Sequence, residues 1–159
     1  MSDTADYKLV RNSTVGADLT EDKAKLLAAK MGVRHLKDGE VLVKGGAADR
    51  TLFILIKGRL DFFSKDDDEK PAYSMKEGEC GGTRAFVEKT PRRGTLRAVG
   101  AATVYTLKPE DFEALLDAHP RVAFRVMQAL FRVTHANLSR ANRVSEELSN
   151  YINKTQGRY

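Results

Sequence analysis

The stretch Gly78-Glu79-Cys80-Gly81-Gly82-Thr83-Arg84-Ala85-Phe86-Val87-Glu88-Lys89-Thr90-Pro91-Arg92-Arg93-Gly94-Thr95 is the most informative part of this chain. It combines a glycine turn, room for one short helix, and a Pro-Arg pair that a small hydroxyl residue follows. Glycines let backbone N–H groups approach an anion, and a helix start adds partial positive charge. Arg92 can bind a phosphate with two parallel hydrogen bonds, and Thr95 supplies a further donor. This segment, called the cassette below, predicts a phosphate-binding site.

The composition favours one domain with an anionic ligand or partner. The chain has 159 residues, of which 42% are hydrophobic, and a formal net charge of +5. On charge alone, a soluble basic surface is the favoured explanation, and the charge is weak evidence for nucleic acid. The single Cys80 excludes internal disulfides and fits a reducing compartment. Residues 1–16 lack the apolar core of a signal peptide, and no apolar run is long enough to span a bilayer, so we expect a cytoplasmic location.

Hydrophobic patterning divides the chain into three parts. Residues 1–18 are polar without sustained periodicity, and we expect a flexible N-terminal arm. Residues 19–119 contain a helix that Thr20 can cap, then short apolar runs between turn residues, then a helix that Pro109 opens. Many short strands at this spacing favour a mainly β, antiparallel jelly roll. Residues 120–159 are expected to form one long helix with a tail, since glycine and proline are absent from 121–153.

The strand prediction depends on where the apolar runs break. Gly58 and Gly100 are interpreted as breaks between strands, and Gly32 as the end of the first helix. The predicted strands are 41–43, 52–56, 60–63, 73–75, 96–99 and 104–107.

Catalysis and metal binding are not expected. A metal enzyme needs histidines that converge on one site, and His35, His119 and His135 lie on predicted elements that are not expected to meet. Cys80 has no histidine base near it in sequence. The acidic run at 66–69 is interpreted as a solvated hairpin tip. A calcium loop is the alternative, but the ligand spacing and turn glycine of such a loop are missing. No catalytic residue, metal or cofactor is therefore predicted.

The order of helix, β-roll with cassette, short helix and long helix resembles the cyclic nucleotide-binding domain of bacterial transcription regulators, cyclic-nucleotide-dependent kinases and gated channels. The resemblance covers residues 19–144. Besides the cassette, it rests on Asp38-Gly39-Glu40-Val41-Leu42 as a strand opener and on Thr51-Leu52-Phe53-Ile54-Leu55-Ile56-Lys57-Gly58-Arg59-Leu60 as a hairpin. It implies a double-stranded β-helix (jelly roll or β-roll) with an N-terminal helix and a long C-terminal helix. It also implies a ligand such as cAMP, cGMP or cyclic di-GMP.

The resemblance transfers the family's site unevenly onto this chain. Arg92 falls on the phosphate-binding arginine, and Thr95 on the hydroxyl residue that follows it. Thr83 stands where the family has a glutamate for the ribose 2′-hydroxyl, and losing such a bond costs about 1.5–3 kcal/mol. Arg84 and Arg93 add charge that favours a more highly charged anion. The predicted ligand-binding residues are Gly81, Gly82, Thr83, Arg84, Ala85, Arg92, Arg93 and Thr95. The alternative is that the Pro-Arg-Arg segment is only a charged loop before a strand.

The long helix carries a heptad pattern that predicts a homodimer. The predicted seam consists of Leu130, Thr134, Asn137, Ala141, Val144, Leu148 and Tyr151. In the resembled regulators this helix forms the dimer interface and reaches the bound base, which makes Asn137 a candidate base contact. The alternative is that Asn137 only sets the register of the interface. Val126, Met127 and Phe131 are expected to pack on the β-roll.

These features predict a stand-alone sensor or adaptor that binds a cyclic mono- or dinucleotide and signals to an unidentified effector protein. Only six residues follow Asn153, so no helix-turn-helix is expected. The alternative is a degenerate domain that acts as a ligand-free interaction or scaffold module. The Thr83 substitution favours the scaffold, whereas Arg92, Thr95 and the glycine turn favour the sensor.

Overall fold

The computed structural model describes residues 4–156, with side chains for 4–139 and 142–153. An antiparallel sheet is flanked by helices at both ends of the chain, so the predicted mainly β fold with an N-terminal and a long C-terminal helix is confirmed. The elements in chain order are α1 (Tyr7–Arg11), α2 (Glu21–Ala28), β1 (Gly32–Leu36), β2 (Val41–Val43), β3 (Leu52–Ser64), β4 (Tyr73–Met75), β5 (Cys80–Gly81), α3 (Thr83–Glu88), β6 (Gly94–Leu107), α4 (Pro109–Ala118) and α5 (Pro120–Gln156).

Two long strands, β3 and β6, form the spine of the sheet. They pair from Leu52 opposite Leu107 to Ser64 opposite Gly94. The strand order is β1-β6-β3-β4, while β2 also pairs with β6 and β5 also pairs with β3. The cassette contains β5 and α3 and ends with the first two residues of β6, and the pairing of β5 with β3 holds it against the spine.

The predicted strand breaks at Gly58 and Gly100 are wrong, because β3 and β6 continue through both glycines. Gly58 has φ +97°, and a Cβ there would lie 2.5 Å from the carbonyl oxygen of Ala101. The register of β3 against β6 shifts on both sides of Lys57, which is the behaviour of a β-bulge. A further difference is that Gly32 opens β1 rather than ending α2, which stops at Ala28.

The hydrophobic core has two parts, one between the helices and the sheet and one inside the roll. The first is built around Leu27, Leu52, Ile54, Leu107, Leu115 and Val126. The second is built around Phe53, Leu55, Leu60, Met75, Leu96 and Val104. Alternate residues of β3 enter different parts, as the two-residue period of a strand requires. The second part forms the floor beneath the cassette.

The prediction of a flexible arm over residues 1–18 is wrong for the part that the structure describes. Asp6 caps α1 by accepting a hydrogen bond from the Lys8 N–H, and its own N–H donates to the Tyr105 hydroxyl. Val10 and Val15 are completely or almost completely buried in the first core. Their irregular spacing hides them from a periodicity search. The segment therefore belongs to the folded domain.

Helix α5 presents one face to the β-roll over its first half. Val126 is 0% exposed, as predicted, but Met127 and Phe131 are 38% and 72% exposed, so the prediction that they pack on the roll is wrong. Leu130 is 2% exposed in the first core, so it cannot also start an intermolecular seam. Residues 126 and 131 lie about 140° apart on a helix of 3.6 residues per turn, which explains the contrast. The predicted seam position Ala141 has a side chain outside the described residues.

Within residues 4–156, none of the helices has the length and apolar character needed to cross a membrane.

Candidate functional site

A cavity of about 290 Å³ lies over the cassette, between the roll and α5. Met75 and Leu96 form an apolar wall that continues the inner core, and Phe62 and Tyr73 add aromatic surface. The cavity brings together most of the predicted site residues, namely Gly81, Gly82, Thr83, Arg84, Ala85, Arg92, Arg93 and Asn137. The missing one is Thr95, which does not line the cavity. Its hydroxyl accepts a hydrogen bond of 3.1 Å from the Gly45 N–H instead.

The glycine turn is fixed by close packing against the arginine. Gly82 has φ +80° and precedes the first residue of α3. A Cβ on Gly82 would lie 2.3 Å from Nη1 of Arg92 and 3.0 Å from the Thr51 carbonyl oxygen. Both the left-handed backbone and the lack of space therefore require glycine.

Arg92 is held inside the fold, with only 4% of its surface exposed. Its Nη2 donates to the Thr51 carbonyl oxygen at 2.5 Å and to Oδ2 of Asp49 at 3.3 Å. Its Nη1 donates to the Gly82 carbonyl oxygen at 3.4 Å. The guanidinium carbon lies 5.1 Å from the centroid of the Phe53 ring, within cation–π distance. These contacts orient the arginine before any ligand arrives.

Asp49 and Arg92 form an ion pair, and the fold shifts the pKa of both groups. Burial raises the pKa of Asp49. Hydrogen bonds from Thr51 and Arg92, together with the charge of Arg92, lower that pKa by a larger amount, so the net shift is downward. Burial lowers the pKa of Arg92, and Asp49 opposes part of that change. Asp49 thus remains ionised and Arg92 remains protonated at neutral pH.

Two buried polar atoms of the cassette have no hydrogen-bond partner among the described residues. They are Nε of Arg92 and Oγ1 of Thr90, and both residues line the cavity. Leaving a buried donor unsatisfied costs about 1–3 kcal/mol, so such atoms call for a partner. Sequence reasoning overlooked Thr90, although its place beside the Pro-Arg pair was an available signal.

The charged rim differs from the buried arginine. Arg84 donates from Nε to Glu88 at 3.0 Å along α3, so its charge is partly balanced on the surface. Arg93 is exposed at the cavity. The described lining contains these two arginines and Arg92 but no carboxylate. The site therefore suits an anion.

Thr83 and Asn137 complete the lining. Oγ1 of Thr83 lies 3.8 Å from Sγ of Cys80, which is a weak contact for a hydroxyl. Asn137 is exposed on α5 and lines the cavity beside Val133, so the predicted base-contact candidate does lie beside the cassette. An amide there can donate to and accept from the edge of a planar ring.

Asp49 is a second residue that sequence reasoning missed. It lies 43 positions before Arg92, in the turn between β2 and β3, and only the fold brings the two together. No cluster of three or more potential metal-binding side chains occurs in the part of the chain that the structure describes.

Comparisons with known proteins agree with this geometry. Residues 33–119, more than half of the chain, match the family described as cyclic nucleotide-binding domain. A cGMP-dependent protein kinase of Plasmodium berghei is 25% identical over 67% of this chain and 12% of the kinase. A patatin-like phospholipase domain-containing protein of Caenorhabditis elegans is 24% identical over 67% of this chain and 9% of that protein. The chain thus spans only a small share of these relatives' length.

A solved structure supports the fold. A cyclic nucleotide-binding domain from Methylobacillus flagellatus superposes with a TM-score of 0.80 at 14% identity, covering 91% of this chain and 86% of the other. Because the family match spans most of the β-roll and the fold agrees over nearly the whole chain, this protein belongs to the cyclic nucleotide-binding domain family.

Proposed function

We propose that the protein is a non-catalytic sensor or adaptor that binds a cyclic nucleotide through its phosphodiester at Arg92. The observation that carries this proposal is the buried Arg92, whose Nε lacks a partner beside a cavity lined by arginines and, among its described residues, by no carboxylate. A phosphate oxygen is the natural acceptor for such a group. The kinase relative is named for cGMP, which supports the same ligand class.

Signalling would begin with a ligand that contacts both the cassette and α5. The phosphodiester contacts the cassette, while the base lies against Asn137 of α5, so binding favours one position of the helix relative to the roll. An effector protein would read that position. We place the activity in the cytoplasm, because the composition includes a single cysteine and thus no internal disulfide.

Isothermal titration calorimetry with cAMP and cGMP tests the proposal. Arg92→Lys should weaken binding at least tenfold, because a lysine cannot reproduce the planar fork of the guanidinium. Arg92→Ala is less informative, since it also removes the bonds to Thr51 and Gly82 that hold the turn. Arg97→Lys is the matched control, because Arg97 lies over Phe63 outside the cavity. Equal affinity of wild type and Arg92→Lys would exclude the assigned phosphate site.

Selectivity provides a second test. Thr83→Glu should strengthen binding of 3′,5′-cyclic monophosphates by restoring an acceptor for the ribose hydroxyl. The new carboxylate also lies near the arginines of the rim, which offsets part of the gain. Weaker binding of both nucleotides in this variant would show that the site reads a different anion.

A ligand-free scaffold is the second candidate function. One observation favours it: Nη1 and Nη2 of Arg92 already have partners inside the fold, so the turn keeps its shape without a ligand. A thermal-shift screen against cyclic nucleotides separates the two functions. A ligand at a hundred times its Kd adds about 2.7 kcal/mol of stability, and the absence of any shift supports the scaffold.

Dimerisation through α5 belongs to the same proposal, with a seam that keeps Thr134, Ala141 and Leu148 of the predicted one and leaves out the buried Leu130. Large apolar side chains occupy four of the five positions spaced seven residues apart on the exposed face, at Phe124 (58% exposed), Phe131 (72%), Leu138 (57%) and Ile152 (49%), and Ser145 occupies the fifth. The intervening positions of the repeat are Met127, Thr134, Ala141 and Leu148. The charged residues of 122–153 all fall at other positions of the repeat. Such a stripe on a long exposed helix is typical of a coiled-coil interface between two copies.

Light scattering over a concentration series tests the dimer. Wild type should associate with micromolar or tighter affinity. Phe131→Asp with Leu138→Asp should give monomers, because it places carboxylates in the seam. Arg143→Glu, on the opposite face of the helix, should leave association unchanged. A wild type that is monomeric at high concentration would refute the seam.

A further inference from the structure

A second cavity, of about 750 Å³, adjoins the cassette cavity beneath α5. The two share four lining residues, which are Tyr73, Cys80, Val133 and Asn137. The remaining described walls of the second cavity are Thr14, Glu79, Ala136 and Val144. Small-molecule sites usually occupy about 300–1,000 Å³, so the first cavity alone is at the lower limit and the pair offers considerably more room.

The second cavity has a different chemistry from the first. Its described lining contains an aromatic ring, aliphatic side chains and an amide, but no lysine or arginine. It is therefore unsuited to a phosphate and suited to a planar base. Its one charged group is the carboxylate of Glu79.

Glu79 is held in place by two donors. Its Oε1 accepts from the Lys76 N–H at 3.3 Å, and its Oε2 accepts from the hydroxyl of Tyr73. A carboxylate offers about four acceptor positions, so two remain for a ligand. A guanine edge presents two adjacent donors, N1–H and the N2 amino group, whereas an adenine edge places an acceptor beside its donor. The fixed carboxylate thus discriminates in favour of guanine.

We propose that the second cavity takes the second base of a cyclic dinucleotide, with a guanine edge paired to Glu79. One phosphodiester then binds at Arg92, and the other lies toward Arg93 at the rim of the first cavity. This inference rests on the proposed function, because it assumes that the cassette binds a cyclic phosphodiester. It adds the ligand class and the residue that selects the base.

Calorimetry on the full chain with cyclic di-GMP, cyclic di-AMP and cGMP tests the proposal. Cyclic di-GMP should bind at least tenfold more tightly than the other two. Glu79→Gln should weaken cyclic di-GMP about tenfold or more while leaving cGMP within about twofold, since an amide presents a donor where guanine also has donors. Glu77→Gln is the matched control, because Glu77 accepts from the Gly58 N–H and lines neither cavity.

A second variant guards against an effect of Glu79→Gln on the turn itself. Ala136 lines the second cavity only and is exposed, so Ala136→Leu should fill that cavity without affecting folding. It should weaken the dinucleotide and spare cGMP. The dinucleotide proposal is wrong if cGMP binds as tightly as cyclic di-GMP, or if both variants weaken cGMP as much as they weaken cyclic di-GMP. Either result would mean that the second cavity holds a single base, and the cassette site would stand. Binding of no nucleotide would reject both proposals.

Discussion

The cassette and the long helix α5 differ in which kind of side chain they bury and which they expose. In the cassette, a charged arginine is buried and its partners come from a distant turn, at Asp49 and Thr51. On α5, large apolar side chains such as Phe131 and Leu138 face solvent in the described chain. The fold thus supplies partners for both Nη atoms of the arginine, whereas the described residues leave the apolar stripe of the helix uncovered. The comparison indicates that the cassette is built to keep its shape alone, whereas α5 is built for contact with another molecule.

The largest effect is expected from two substitutions five residues apart on α5. Val126→Asp should cost more than about 4 kcal/mol, because it buries an unpaired charge in the first core. Phe131→Asp should leave the unfolding free energy of the subunit nearly unchanged and affect association only. Urea denaturation at low protein concentration measures both. Equal destabilisation would contradict the two-faced description of α5.

The glycine turn should show the next largest effect. Gly100→Ala meets no atom within 4 Å, so its cost is that of a left-handed alanine, about 1–2 kcal/mol. Gly82→Ala has the same backbone strain and also collides with Arg92, which adds about 1–3 kcal/mol. Thermal melts of the two variants give the difference. Identical melting temperatures would show that Arg92 moves away without cost.

Asp49→Asn should produce a smaller, pH-dependent loss. The pKa of Asp49 is lowered in the folded protein, so its contribution is present above the unfolded pKa of about 3.9 and disappears as the pH falls through the folded value. The stability difference between wild type and variant should therefore be constant from about pH 7 to 5 and shrink below about pH 4. A difference that does not change with pH would argue against an ionised pair.

The smallest effect is expected at the exposed ion pair between the N-terminal segment and α5. Arg132 lies 2.7 Å from Oδ2 of Asp18, and its side chain is 60% exposed. Arg132→Ala should cost less than about 1 kcal/mol, as exposed ion pairs usually do. Added salt should reduce this cost further. A loss of several kcal/mol would mean that the N-terminal segment depends on this contact.

Local chemistry was sufficient to predict that most of the cassette residues line one cavity. The glycine turn, the short helix and the Pro-Arg pair are contiguous, so the sequence placed Gly82 and Arg92 in one site. Thr95 was the exception. Its neighbour Leu96 lines the cavity, so Thr95 lies on the other face of β6, as the alternation of a strand beginning at Gly94 requires.

Features that depend on tertiary packing could not be predicted in the same way. Gly58 and Gly100 carry positive φ angles inside continuous strands, and only pairing partners distinguish a bulge from a turn. The heptad pattern of α5 fits two neighbouring stripes, and the choice depends on which face the roll covers. Leu130 was assigned to the wrong stripe for this reason.

The buried N-terminal segment limits how far the domain can be shortened in the laboratory. The family match, residues 33–119, omits Val10, Leu27 and Val126, all of which are 0% exposed in the first core. The region that the family match covers is therefore shorter than the region that builds the first core. A fragment cut at the family boundaries would open one side of the sheet to solvent and aggregate. A ligand screen on such a fragment would report on a damaged protein.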